Sequence, residues 1–234
     1  MATLPDNEES SKIWQQPGSD PGTIAADLRR SLGAGGEPPW GLFLQQEALA
    51  SWATERGRWI ERKSIGLRSE SPGVEHEIIF DPERQRFIKI TQRGNYGHVG
   101  SCQWGKLELV QAKPLEYLNR LALSDSMFGD GTRVLGVVSN ESGVRIVTAQ
   151  PLVVGKKPSQ EDVIEWMRSL GFAAAGQKTY WNATEELAIF DAHPGNVLRI
   201  PDGRLCPIDI IPCIADARMM SFLNQRVKAW AAKH

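Results

Sequence analysis

The stretch FDAHPGNVLRIPDGRLCPIDI, Phe190 to Ile210, sets Asp191, Asn196 and Asp209 around short runs of Val, Leu and Ile. Asp-Gly between two apolar runs is a strong hairpin signal. A turn centred on Asp202-Gly203 pairs Arg199 with Cys206, Val197 with Ile208 and Asn196 with Asp209. Residues directly opposed on a hairpin point to the same face, with Cβ atoms about 5 Å apart. A carboxylate and an amide oxygen at that separation share a hard cation well. Mg²⁺ suits such a pair, because it takes one or two protein oxygens and fills its shell with water and phosphate. Asp191 lies five residues before Asn196, across Ala-His-Pro-Gly, and the Pro194-Gly195 turn lets its carboxylate curl back toward the pair. An aspartate beside a metal-bound phosphate accepts a hydroxyl proton and orients that hydroxyl for attack. Phosphoryl transfer needs this arrangement, since positioning and charge neutralisation supply most of its catalysis.

The run D-A-H-P-G-N-V-L with a later P-I-D resembles the catalytic loop and metal-binding aspartate of the protein-kinase-like superfamily. The Asp-x-His-Pro-Gly-Asn form is close to the aminoglycoside phosphotransferases. Further shared features are E-H before the second strand, K-P-L-E-Y-L-N-R, F-G-D and A-Q-P, over about Ser64 to Ile211. With these the chain is most similar to the compact Ser/Thr/Tyr kinase domain of polyvalent proteins of phages and mobile elements. The resemblance implies Asp191 as catalytic base, Asn196 and Asp209 as magnesium ligands, and ATP as phosphoryl donor. Lys89, in RFIKI on an expected third strand, stands where the family pairs a lysine with ATP. Glu116, in the following helix, would orient Lys89, with Glu108 as the fallback. Gly66 and Gly73 bound the segment where a phosphate-covering loop would lie. Gln150 and Leu152, in Gln-Pro-Leu, occupy the hinge.

Several of these residues also have plainer readings. Lys89 alone is a solvated edge charge. A first-turn Glu116 favours the positive end of a helix without any catalytic role. Gly66 and Gly73 serve turn geometry equally well. His193 stands where the family often has Lys, and reads either as a phosphate or substrate contact or as a hydrogen-bonded loop histidine. Cys206 and Cys213 with His193 fit no common zinc spacing and read as buried thiols. The chain also departs from the family pattern. Ile189 and Phe190 replace the usual His-Arg, Ile210 replaces the glycine after the metal aspartate, and Gly66–Gly73 lacks the full glycine pattern. Only 25 residues follow Asp209, which leaves no recognisable activation segment.

The positioning elements follow from patterning. Residues 1–40 read as a flexible tail with at most a short helix at Thr23–Leu32, and residues 41–60 as an amphipathic helix. Val74–Thr91 reads as two strands about an Asp81–Arg84 turn. A helix at Pro114–Phe128 and a strand pair at Val134–Val154 follow. Ser159, with Glu161 and Asp162 behind it, opens another helix that ends at Gly171. A final amphipathic helix closes the chain. The fold class expected is α+β: a reduced two-lobed kinase-like fold, with an antiparallel N-lobe sheet at 61–155 and a minimal helical C-lobe at 156–234.

Composition agrees with a globular domain. Of 234 residues 41% are hydrophobic and 24% charged, with a net charge of -1. That balance supplies no basic field for nucleic acid. No apolar run approaches the roughly 20 residues of a membrane span. Three cysteines build no disulfide framework, and the eight tryptophans read as core. The expectation is a cytoplasmic ATP- and Mg²⁺-dependent phosphotransferase acting on a protein Ser, Thr or Tyr hydroxyl. A small-molecule kinase and an inactive, nucleotide-binding pseudokinase are the alternatives.

Overall fold

The structure, a computed structural model, describes residues 17–33, 40–65, 71–72, 75–92, 94–140 and 143–233. Five helices and thirteen strands are named among the described residues: α1 Pro21–Gly33, α2 Leu42–Glu55, β1 Ser71–Pro72, β2 His76–Asp81, β3 Arg86–Thr91, β4 His98–Gln103, β5 Lys106–Gln111, α3 Pro114–Phe128, β6 Arg133–Asn140, β7 Gly143–Pro151, α4 Gln160–Ser169, β8 Ala173–Ala174, β9 Tyr180–Asn182, β10 Leu187–Phe190, β11 Val197–Arg199, β12 Leu205–Pro207, β13 Ile211–Ile214 and α5 Ala217–Ala231. The chain divides into two compact units. One is Met1–Gly97, Ala112–Asn119 and Gly131–Leu152; the other is His98–Gln111, Arg120–Asp130 and Val153–His234. Each unit is assembled from three stretches of the chain. Helix α3 contributes to both, its residues from Arg120 onward counting with the second.

The first unit is built on an antiparallel sheet of order β1-β2-β3-β7-β6. Inward residues of β2 and β3, Ile79, Ile88 and Ile90, are sealed with Ile60, Ile65, Leu135 and Val147. Pro82–Gln85 forms the β2–β3 turn, where Asp81 Oδ1 accepts the Arg84 N–H at 3.2 Å. Helix α1 covers the short helix expected at Thr23–Leu32, while residues 1–16 and 34–39 of the expected tail lie outside the described residues. It is packed, not loose: Ile24, Ala25, Leu28 and Leu32 are buried along one face and α1 packs on α2. A helix this short is marginal alone, and its stability comes from that partner. Helix α3 begins at Pro114, which has no N–H to lose. Buried Gln45, from α2, accepts the Leu115 N–H at 3.0 Å, and Glu116 Oε2 accepts the Lys113 N–H at 2.7 Å. Both satisfy donors that a helix start leaves orphaned.

Alongside helices α4 and α5, the second unit holds strands that the sequence patterning left unassigned. Hairpin β4–β5 turns at Trp104-Gly105, whose φ values of 52° and 71° are the positive pair of a two-residue turn. A four-stranded sheet runs β13-β10-β9-β8. Helix α4 opens with a capping box: Ser159 Oγ accepts the Asp162 N–H at 3.0 Å, and Asp162 returns a carboxylate oxygen to the Ser159 N–H at 2.9 Å. That N–H, with Arg199 beside it, holds the Asp162 carboxyl below the usual carboxylate range.

Candidate active site

Strand β10 lies inside its sheet, between β13 and β9. Its side chains alternate between two cores. Ala188 and Phe190 join Trp181, Ile211 and Cys213, while Ile189 joins Val163, Met167 and Tyr180. This explains two departures from the family pattern, because Ile189 and Phe190 are packing residues on a strand buried on both faces. Ile210 is likewise buried, and the chain passes from Asp209 directly into β13, which pairs with β10. Gly100 on β4 comes so close to Phe190 that an added Cβ would stand 2.2 Å from the ring.

Asp191 follows immediately at the end of β10. Its φ is +55°, a left-handed conformation that costs about 1–3 kcal/mol for an ordinary residue and is best tolerated by Asn and Asp. Asn196 holds it there. The Asn196 Nδ2 donates to the Asp191 carbonyl oxygen at 3.0 Å and to Oδ2 at 2.9 Å. The other carboxylate oxygen, Oδ1, lies 3.5 Å from Lys178 Nζ and 3.4 Å from His193 Nε2. The Gly195 N–H donates to His193 Nδ1 at 3.0 Å, so Nδ1 is the acceptor and the neutral ring carries its hydrogen on Nε2, facing Asp191. Gly195 is required there, since a Cβ would meet the imidazole at 2.8 Å. Lys178 is fixed through its backbone, whose carbonyl accepts the Ala192 N–H at 3.1 Å.

The β11–β12 hairpin corrects the expected register by one residue. Val197 pairs with Pro207, Leu198 with Cys206 and Arg199 with Leu205. The Ile200 N–H donates to the Arg204 carbonyl, so the loop is the three residues Pro201-Asp202-Gly203, with Gly203 at φ +91°. The Asn196 carbonyl accordingly accepts the Ile208 N–H at 2.9 Å, and Asp209 stands one position beyond that pair. The chain bends at Ile208–Asp209, where β12 has ended, so strict strand alternation does not govern where Asp209 points. Its half-exposed carboxylate is held by Arg120, whose Nη2 lies 3.1 Å from Oδ1.

The donors suit Mg²⁺. Asn196 commits its Nδ2 to Asp191, which leaves the amide Oδ1 as its coordinating atom, and Asp209 has Oδ2 beside the oxygen that Arg120 takes. Among the described residues no group of three or more His, Cys, Asp or Glu is arranged to hold a metal by itself. Two hard oxygens are the sparse protein share that Mg²⁺ accepts when phosphates complete its shell. The thiols stay outside this chemistry. Burial pushes Cys213 up to about 12, and burial and then the Asp130 charge raise Cys206.

The remaining residues named from sequence, Glu108 apart, lie in the first unit, or outside the described residues in the case of Gly66 and Gly73. Lys89 sits on β3 opposite Ile78 and Thr148. Glu116 is engaged at the start of α3. Gln150 is buried on β7 opposite Phe87, and the Leu152 N–H reaches the Gln85 carbonyl at 2.8 Å. Glu108 is exposed on β5, in the second unit. Lys178 and Arg120 are residues that sequence reasoning missed. They approach Asp191 and Asp209 through the fold; Arg120 closes the K-P-L-E-Y-L-N-R run without its role being legible there, and Lys178 lies in no quoted motif.

No helix among the described residues is long and apolar enough to cross a membrane. Comparison with curated proteins and with solved structures returned no match. A family profile does match, over residues 44–216, and it describes Serine/Threonine/Tyrosine kinases found in polyvalent proteins. That match spans both units and includes the whole Asp191–Asp209 segment, so this chain, α+β in fold and a phosphotransferase by family, belongs to the Ser/Thr/Tyr kinases of polyvalent proteins.

Proposed function

We propose that the chain transfers the γ-phosphoryl group of ATP to a Ser, Thr or Tyr hydroxyl of a protein, with Asp191 as the base. The observation that carries the reading is the pinned, left-handed Asp191, with Oδ2 occupied by Asn196 and Oδ1 turned toward Lys178 and His193. Oδ1 is the oxygen that accepts the proton of the incoming hydroxyl. The hydroxyl oxygen then bonds to the γ-phosphorus as the bond from that phosphorus to the β–γ bridging oxygen breaks, leaving ADP with the departing electron pair. Lys178 and His193 supply positive charge and an N–H beside the transferring group. In this family a cation before the catalytic loop asparagine often does this, and here His193 stands in that position.

Asn196 Oδ1 and Asp209 Oδ2 would hold Mg²⁺, which when bound offsets the charge of the phosphates. In the first unit Lys89 would clamp the phosphates and the Gln150–Leu152 segment would receive the base. Glu116 would orient Lys89 through Oε1, its Oε2 being engaged by the Lys113 N–H.

Purified protein with γ-labelled ATP, Mg²⁺ and a generic acceptor protein tests this reading, beside Asp191→Asn and Asp209→Ala. Label on protein with the wild type alone is the expected result. Magnesium-dependent nucleotide binding without transfer to any protein would move the acceptor to a small molecule or the chain to a binding role. No nucleotide binding would end the reading.

A further inference from the structure

Arg120 is only 5% exposed, yet the carboxylate it meets is 50% exposed. Its Nη1 donates to the His98 carbonyl at 3.2 Å and its Nη2 to Asp209 Oδ1 at 3.1 Å. The asymmetry matters. A half-exposed aspartate is well solvated without a partner, whereas a buried guanidinium cannot lose its proton and is costly unless paired. Asp209 therefore carries a permanent positive charge against its inner oxygen, and only Oδ2 remains for a cation. Asn196 contributes no charge. Nearby, Asp191 is also faced by a cation, Lys178. Each of the two site carboxylates, Asp209 and Asp191, is thus faced by one cation, Arg120 and Lys178 respectively.

We propose that Arg120 is a positioning residue that neutralises Asp209, so that this unit takes a divalent cation together with a polyphosphate and not as a free ion. The inference rests on the kinase reading of Asn196 and Asp209. Mg²⁺ sheds its water reluctantly, and two oxygens with no net charge give it little reason to. A nucleoside polyphosphate brings the missing negative charge. Arg120 also fixes which oxygen of Asp209 faces the ion, a role that a neutral hydrogen-bond donor of similar length can keep. Removing one unit charge about 6 Å from a divalent ion is worth about tenfold in affinity even at the dielectric of water.

The test is a Mn²⁺ titration of the full chain followed by electron paramagnetic resonance, without nucleotide and with a non-hydrolysable ATP analogue. The proteins are wild type, Arg120→Gln, Arg120→Lys and Asp209→Asn, each checked for folding by circular dichroism. Wild type should bind Mn²⁺ saturably only with the nucleotide. Arg120→Gln should bind nucleotide-free Mn²⁺ at least about tenfold more tightly than wild type, and Arg120→Lys, which keeps the charge, should stay near wild type. A folded Arg120→Gln that titrates like wild type overturns the proposal. So does a wild type that binds Mn²⁺ equally well with and without nucleotide through Asp209, a comparison that needs no Arg120 variant to fold. If wild type fails to bind Mn²⁺ even with nucleotide, or if Asp209→Asn leaves that binding intact, the kinase reading of the site fails instead.

Discussion

Asn196 donates twice to Asp191, through one amide nitrogen that reaches both the backbone carbonyl and Oδ2. One side chain therefore pins the φ +55° backbone and selects the rotamer that turns Oδ1 toward Lys178 and His193. Asn is at ease in the left-handed region, so Asp191→Asn should keep the backbone and the melting temperature while abolishing transfer. Asn196→Ala should lose both transfer and about 1–3 kcal/mol of stability, since it orphans two acceptors next to a strained residue. Urea unfolding and a labelled-phosphate assay separate the two variants. Equal stability of Asn196→Ala and wild type would contradict the pinning.

Lys178 is more than half exposed and 3.5 Å from Asp191, so as an ion pair it contributes little to folding. Its value lies in placing a cation beside the transferring phosphoryl group. Lys178→Met should therefore leave the melting temperature within a degree or two but lower kcat by about 10- to 1,000-fold, in the range of a lost electrostatic contact. Unchanged kcat in a folded Lys178→Met would reduce the lysine to a surface charge.

Where local chemistry decides structure, the sequence was readable. Ser159 and Asp162 announce α4, Pro114 announces α3, and alternating apolar residues announce β2 and β3. The candidate site was readable for the same reason: Asp191, Asn196 and Asp209 lie on one short segment whose spacing is itself the motif. What stayed hidden depended on partners distant in the chain. Arg120 meets Asp209 across 89 positions, and Lys178 reaches Asp191 from a turn that resembles any other loop. Hairpin β4–β5 escaped because Trp104, which is 94% exposed, is not a turn former. The register of β11–β12 slipped because Pro201 joined Asp202 and Gly203 in a three-residue loop, which nothing in an Asp-Gly pair announces.

Gln45 tests how far the first unit depends on a cap supplied from another helix. It is 4% exposed, accepts the Leu115 N–H and donates to the Trp40 carbonyl at 3.0 Å. Gln45→Leu fills the same space but leaves a helix-start N–H and a carbonyl without this partner. The expected loss is about 1–3 kcal/mol, measured as a lower urea midpoint with unchanged slope. A neutral outcome would mean that water replaces the amide at both groups.

Alkaline pH should destabilise the fold through two acids that burial keeps protonated. Tyr96 is sealed, donates its hydroxyl to the Val144 carbonyl and accepts from Gln46 at 3.0 Å; burial outweighs the Gln46 bond and pushes it to about 12. The Cys213 thiol is likewise pushed to about 12 by burial. Both folded values lie above those of the unfolded chain, so over the intervening pH range the folded state binds more protons and stability falls as pH rises. Below about pH 8 both groups are protonated in either state and contribute no slope. Unfolding free energy should therefore show no contribution from this pair near neutrality, fall from about pH 9 as Cys213 would ionise in the unfolded chain, and fall faster from about pH 10 as Tyr96 joins it. Cys213→Ala should remove the earlier part of the decline and leave the later part. A decline in Cys213→Ala that still begins at pH 9 with the wild-type slope would show that the thiol is not held neutral by the core.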